Sequence, residues 1–218
     1  MKRFSLIAPV LALAVFAAGA RAQVHGQYAG ADVLPAGTHL FGGYLDVSSN
    51  VVGLMAQLRL SFYPGVDFGF QGGPARINQD GTSRGLLRLG TDLKVTAHHA
   101  ASGPNYELAL GGALGVETGD NYSLLSLGPA AVVSTHVRAG GAGGAARASG
   151  FAPYAGVMLL FTNVDAGVSS ETGFSVPVRL GAEFQATPAA RLTAELVLRI
   201  ADKFRDHAAF NVGVNLPF

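Results

Sequence analysis

From about residue 38 to Phe218 the chain alternates apolar and polar residues with a period of two. Successive side chains of a β-strand point to opposite faces, so this period reads as strand after strand, each with one oily and one polar face. In residues 173–186, Phe174, Val176, Val178, Leu180, Ala182 and Phe184 share one face, and Ser175, Pro177, Arg179, Gly181, Glu183 and Gln185 the other. Residues 191–200 set Leu192, Ala194, Leu196, Leu198 and Ile200 against Arg191, Thr193, Glu195 and Arg199. Residues 208–218 align Ala208, Phe210, Val212, Val214, Leu216 and Phe218 against Asn211, Gly213 and Asn215. The same split recurs at 52–62, 87–97 and 106–116, and with a less certain register near 38–47, 66–76, 122–138 and 151–164.

That gives ten candidate strands, with eight as the runner-up. Turn residues separate them: Ser48-Ser49-Asn50, Pro64-Gly65, Asn78 to Gly85, Ser102 to Asn105, Gly119 to Asn121, the Gly/Ala run 139–150, Gly167 to Thr172, Thr187-Pro188 and Asp202 to His207. The strands run to about 10 residues or more, where soluble strands average about 5–6 and membrane-crossing strands need about 9–11. Helical periodicity is hard to find, and no stretch after the leader offers the roughly 18 unbroken apolar residues of a membrane helix.

Composition narrows the class. Hydrophobic residues make up 49% of the chain and charged residues 13%, about half the usual charged share of roughly 25%. A disordered chain would need the opposite balance. Lys and Arg number 15 against 14 Asp and Glu, so there is no basic footprint and no nucleic-acid partner is expected. The absence of cysteine removes disulfides, thiolate zinc sites and cluster ligands.

Residues 1–22, MKRFSLIAPVLALAVFAAGARA, combine Lys2 and Arg3, an apolar run from Leu6 to Ala18, and the small-x-small Ala20-Arg21-Ala22. This is the pattern of a secretory signal peptide. Residues 23–36 show no period and are expected to form an N-terminal arm, with one β-barrel domain over 37–218.

Alternation alone does not separate a soluble sandwich from a membrane barrel, because the two differ in which face looks inward. Sparse charges of both signs among Gly, Ala, Ser and Thr suit an enclosed lumen. On this register the inward acids are Asp46, Asp67, Asp92, Glu107, Glu117, Glu183 and Glu195, and the inward bases Arg59, Arg88, Lys94, Arg138, Arg179 and Arg199. The near balance of charge is what a poorly hydrated interior requires. Aromatics fall near strand ends (Phe62, Tyr63, Phe68, Tyr106, Tyr122, Phe161, Phe174, Phe184, Phe210, Phe218), as in interfacial girdles. Closure would also remove the exposed edges of an exported sheet. The expected fold is therefore all-β: a closed antiparallel up-and-down transmembrane barrel.

The last strand, FNVGVNLPF, resembles the C-terminal signal of bacterial outer-membrane proteins, with Pro217 departing from that pattern. The chain looks like a small outer-membrane β-barrel protein of a Gram-negative-type bacterium. The resemblance implies export to the outer membrane, contact with its lipid and lipopolysaccharide, and reading of Phe210, Val214, Leu216 and Phe218 by the barrel-assembly machinery. A monomer is expected.

The function expected is structural, or a narrow porin-like passage for ions and small solutes. Arg59, Arg88, Asp92, Lys94, Glu107, Arg179, Glu183, Glu195 and Arg199 would form its lumen charge network. Because about eight strands already give an interior that side chains fill, ten leave little bore, although Gly111, Gly115, Gly181 and Gly213 could open some room. Two alternatives stay open. One is a lipid-modifying hydrolase using Ser134 and His136, which share a strand face but lack an assignable acid for a triad. The other is a soluble periplasmic barrel or sandwich that binds a ligand. Neither catalysis nor a cofactor is expected. No metal is expected either, since His98 and His99 are adjacent and would point to opposite faces.

Overall fold

The computed structural model describes residues 29–79, 82–99, 105–138, 150–166, 169–187, 189–201 and 206–218, the side chains of Gln79 and Arg138 excepted. The leader, residues 23–28 of the arm, Pro104, Pro188 and the 139–149 run lie outside the described residues. Twelve strand segments are present, with no helix among the described residues. They are β1 (His39–Ser48), β2 (Val51–Tyr63), β3 (Val66–Gln79), β4 (Thr82–His98), β5 (Glu107–Gly119), β6 (Tyr122–Ser134), β7 (Val137–Arg138), β8 (Gly150–Met158), β9 (Leu160–Asp165), β10 (Ser170–Thr187), β11 (Ala190–Ile200) and β12 (Ala208–Pro217).

These twelve segments make ten staves. Segments β8 and β9 both lie between β6 and β10. Their common register shows in Ala130 opposite Met158 and Leu127 opposite Phe161. Leu159 only interrupts that stave. Likewise β7 continues β6, since Ser134 opposite Tyr154 and Val137 opposite Phe151 keep one register. Every neighbouring pair is antiparallel. The first strand closes on the last, Leu40 opposite Pro217 through Ser48 opposite Ala209. Two backbone hydrogen bonds between His39 and Phe218 extend that seam. The architecture is thus the closed ten-strand up-and-down barrel expected from the alternation, and the eight-strand count is excluded.

Local chemistry sets the hairpins. Gly65 takes a φ of 75° at the β2–β3 turn, a conformation that costs a residue without Cβ little. At the β5–β6 turn the left-handed position falls on Asn121, φ 55°, a residue type that tolerates it. The end bearing His39 and Phe218 is called here the terminal end, and the other the distal end.

The two faces of the wall divide as the sequence pattern requires. Leu54, Leu87, Leu89, Leu110, Leu114, Leu127, Leu180, Leu192, Phe210 and Val212 are exposed on the outside. Asp46, Arg59, Asp67, Arg88, Asp92, Lys94, Glu107, Glu117, Arg179, Glu183, Glu195 and Arg199 are all buried inside. Arg138 belongs to β7, but its side chain lies outside the described residues.

One aromatic departs from the girdle expected of it. Tyr122 turns inward, packing on Val51, Ala75, Ile77 and Leu86 and on Leu124 and Val164. It shares the parity of Leu124, so its position near a strand end does not bring it to the outer wall. Five of the others make ring contacts towards the barrel ends. Phe62 packs on Phe68 and on His39, and His39 on Phe218, at the terminal end. Phe161 meets Phe174 edge-on towards the distal end, ring centroids 5.6 Å apart.

Candidate functional site

The lumen is the candidate site, and its charges gather into three groups. In the first, Arg59 on β2 forks onto Asp92 on β4, Nη2 to Oδ1 at 2.8 Å and Nη1 to Oδ2 at 3.2 Å. Its Nη2 also bonds Asp67 on β3. Lys94 stands 3.7 Å from Asp67, and the Gln71 amide donates to Asp92. The planar guanidinium suits this bidentate grip. Gly69 makes it possible, since a Cβ there would collide with the Asp92 carboxylate and the Arg59 guanidinium.

The second group centres on Glu195 of β11. Its Oε2 accepts from Arg179 Nε and from Tyr154 Oη, both at 2.9 Å, and its Oε1 from Asn211 Nδ2 at 3.2 Å. Arg179 also stands over the Tyr154 ring, 5.8 Å from its centroid. In the third, Arg88 Nη1 donates to Asp46 Oδ2 at 2.6 Å, and Arg88 lies directly opposite Glu117 across the β4–β5 ladder. A Cβ at Gly53 would strike the Arg88 guanidinium.

At two of the inward glycines expected to open room, Gly181 and Gly213, a tyrosine takes the space. Tyr154 fills the space over Gly181, and Tyr44 fills that over Gly213 and Gly42. The Tyr44 hydroxyl donates to Asn215 and accepts from Gln57 Nε2 at 3.2 Å. The sequence does not single out Tyr44 or Tyr154, since the alternation in their strands leaves the register open; the barrel buries both.

Further contacts reach into the lumen from each end. At the terminal end the arm turns inside the barrel. Lys94 Nζ donates to the carbonyls of Gly30, at 2.8 Å, and Asp32, at 2.6 Å. Glu183 accepts from the Gly30 N–H at 2.8 Å, Ser134 from that of Ala31 at 3.2 Å, and Asp67 from that of Leu34 at 3.2 Å. Ala31 packs with Ala109, Val132 and Tyr154. Towards the distal end, buried Asp206 binds Asn50 through both carboxylate oxygens. The Asp206 carbonyl accepts from Arg199 Nη1 at 2.8 Å.

The hydrolase candidates are not brought together as a nucleophile and its base. His136 has an acid partner in Asp32, 3.0 Å from Nε2 to Oδ1. The buried Ser134 hydroxyl, however, is engaged by the arm's Ala31 N–H. In the C-terminal set, Phe210, Leu216 and Phe218 are exposed on the outer wall and Val214 is half-buried there.

No family model matches the chain. No curated protein matches it. Among solved structures, it is similar in fold to an outer-membrane protein of Vibrio cholerae, OmpT, at 12% identity and a TM-score of 0.36. That match covers 77% of this chain and 56% of OmpT, so the chain spans little more than half of that protein. LpxR from Salmonella typhimurium matches at 11% identity and a TM-score of 0.43, over 76% of this chain and 72% of LpxR. The KdgM porin matches at 7% identity and a TM-score of 0.42, over 82% of this chain and 99% of the porin. No residue role carries over at this distance.

Proposed function

We propose that this chain is an integral outer-membrane β-barrel whose lumen is closed in the conformation described, with a structural role in the membrane and no catalytic one. One observation carries the reading. The largest fully buried side chains are Arg59, Arg88, Arg179 and Lys94, while leucines and phenylalanines cover the outside, Leu54 at 61% exposure among them. Soluble proteins bury such charges last and do not expose an apolar belt around the whole molecule. The arrangement suits a hydrocarbon surrounding, which a closed barrel can span because every strand is paired.

The closed lumen favours a structural part over an open pore. Tyr44 and Tyr154 occupy the space at Gly42, Gly181 and Gly213, salt bridges cross the interior, and the arm enters the terminal end. A passive route for ions would require the arm to leave. Catalysis at Ser134 is disfavoured because its hydroxyl is buried and the His136 imidazole is bonded to Asp32 rather than to it. The partners on this reading are outer-membrane lipid and lipopolysaccharide, with the assembly machinery acting on the last strand during insertion of a single copy.

Fractionation and planar-bilayer recording test the proposal together. The expected result is a protein released by detergent and not by osmotic shock, heat-modifiable on gels, and without a steady conductance. Release by osmotic shock would overturn the membrane reading. A steady open conductance from the full mature chain would overturn the closed lumen.

A further inference from the structure

Three side chains from separate parts of the fold converge where the arm enters the barrel. Asp32 comes from the arm, Glu107 from the start of β5, and His136 from the link between β6 and β7. One ligating atom of each lies within 4.8 Å of the others. His136 Nε2 is already 3.0 Å from Asp32 Oδ1. The largely exposed His99 contacts Glu107 Oε1 through Nδ1. Glu107 is buried, whereas Asp32 is half-buried and His136 exposed, so the group has a fixed floor and an open approach.

We propose that Asp32, Glu107 and His136 bind a divalent first-row transition ion of the zinc class, which clamps the arm to the wall. The donor set is one imidazole nitrogen and two carboxylate oxygens. Such sets hold zinc at about 2.0–2.2 Å, with water completing the shell. Ligand atoms of a tetrahedral shell at those bond lengths stand about 3.3 Å apart, so the three would have to close by no more than about 1.5 Å. The imidazole favours zinc, nickel or copper over magnesium and calcium, which prefer oxygen alone. Two carboxylates brought together also repel one another, and a dication relieves that repulsion. Lys94 does not take this part: its ammonium is directed to the Gly30 and Asp32 carbonyls and stands near Asp67. His99 positions the Glu107 carboxylate, a role that outer hydrogen-bond partners of metal ligands commonly serve.

The consequence is specific to the arm. Asp32 sits between the arm's bonds to Glu183 and Ser134 on one side and to Asp67 on the other, so a bound ion would fasten the stopper at its middle. The site stands whether or not the lumen conducts.

The test is calorimetric titration of zinc into the mature chain, folded in detergent and freed of metal by a chelator. The expected result is one ion per chain, undisturbed by excess magnesium, with at least about tenfold weaker binding in each of Asp32→Asn, Glu107→Gln and His136→Ala. Zinc should also slow proteolysis of the arm in the parent and not in His136→Ala. Retained heat-modifiable migration on gels shows that each variant is folded. His99→Gln should weaken binding less than His136→Ala does. Parent-like affinity in folded His136→Ala or Asp32→Asn overturns the proposal, as does the absence of binding by the parent.

Discussion

The ring of Tyr154 lies where any side chain at Gly181 would have to stand, on a neighbouring strand and in direct register with it. The glycine is a socket for the tyrosine, whose hydroxyl then reaches Glu195 at 2.9 Å. Gly181→Val should therefore overpack the interior and cost about 1–3 kcal/mol, seen as a lower midpoint in urea unfolding from lipid vesicles. Tyr154→Phe keeps the ring and loses one hydrogen bond to a charged partner, about 1.5–3 kcal/mol. A parent-like midpoint for Gly181→Val would mean that the ring is free to leave.

Arg179 and Glu195 face each other within a wall that excludes water. Removing one member of such a buried pair leaves the other uncompensated, and the usual cost is about 3–5 kcal/mol. Arg179→Met should lose stability in that range. The double variant Arg179→Met with Glu195→Met should recover much of it, because the desolvated charge goes too. A double-mutant cycle by denaturant unfolding reads the coupling. Additive losses would show that the two residues act separately.

Strand parity made most of this lumen legible. Once Leu192 to Ile200 were assigned outward, Glu195 and Arg199 had to point inward, since a slip of one residue exchanges the faces of the whole strand. The same logic places Arg59, Arg88, Asp92, Lys94 and Arg179, all of which are buried. Parity does not decide Tyr44, Tyr122 and Tyr154, because their strands carry small or apolar residues on both faces; only the closed barrel puts all three rings inside. The arm was illegible for a physical reason. Residues 29–36 have no period, and the contact of Gly30 with Glu183 joins positions 153 apart in the sequence. The convergence of Asp32, Glu107 and His136 depends on that same insertion, so no local spacing could signal it.

The outer wall makes a prediction that separates lipid from water. Leu114, midway along β5, is exposed on the outside, as is Tyr63 at the end of β2. In a bilayer, an arginine near the midplane costs about 2–4 kcal/mol and one near the interface about 0–1. Leu114→Arg should therefore lose much more stability in vesicles than Tyr63→Arg. Equal, near-zero costs for both would indicate that the belt faces water.

Lys94 is the cation that tethers the arm, donating to two of its carbonyls from a buried position on β4. Those two bonds hold carbonyls two residues apart in a segment also held by Glu183, Ser134, Asp67 and His136 and by the packing of Ala31. Lys94→Met removes both and leaves a side chain of similar length that can only pack. It also takes a positive charge from beside Asp67, but Asp67 keeps its bond to Arg59, so the barrel should still form and remain heat-modifiable. The arm should then spend more time outside the lumen. In planar bilayers the parent is expected to be silent, Lys94→Met to show intermittent openings, and a chain lacking residues 23–35 to open for longer. Limited proteolysis should cut the arm of Lys94→Met sooner than that of the parent. If the shortened chain stayed as silent as the parent, the side chains of the wall alone would close the lumen, and the arm would be a passenger within it.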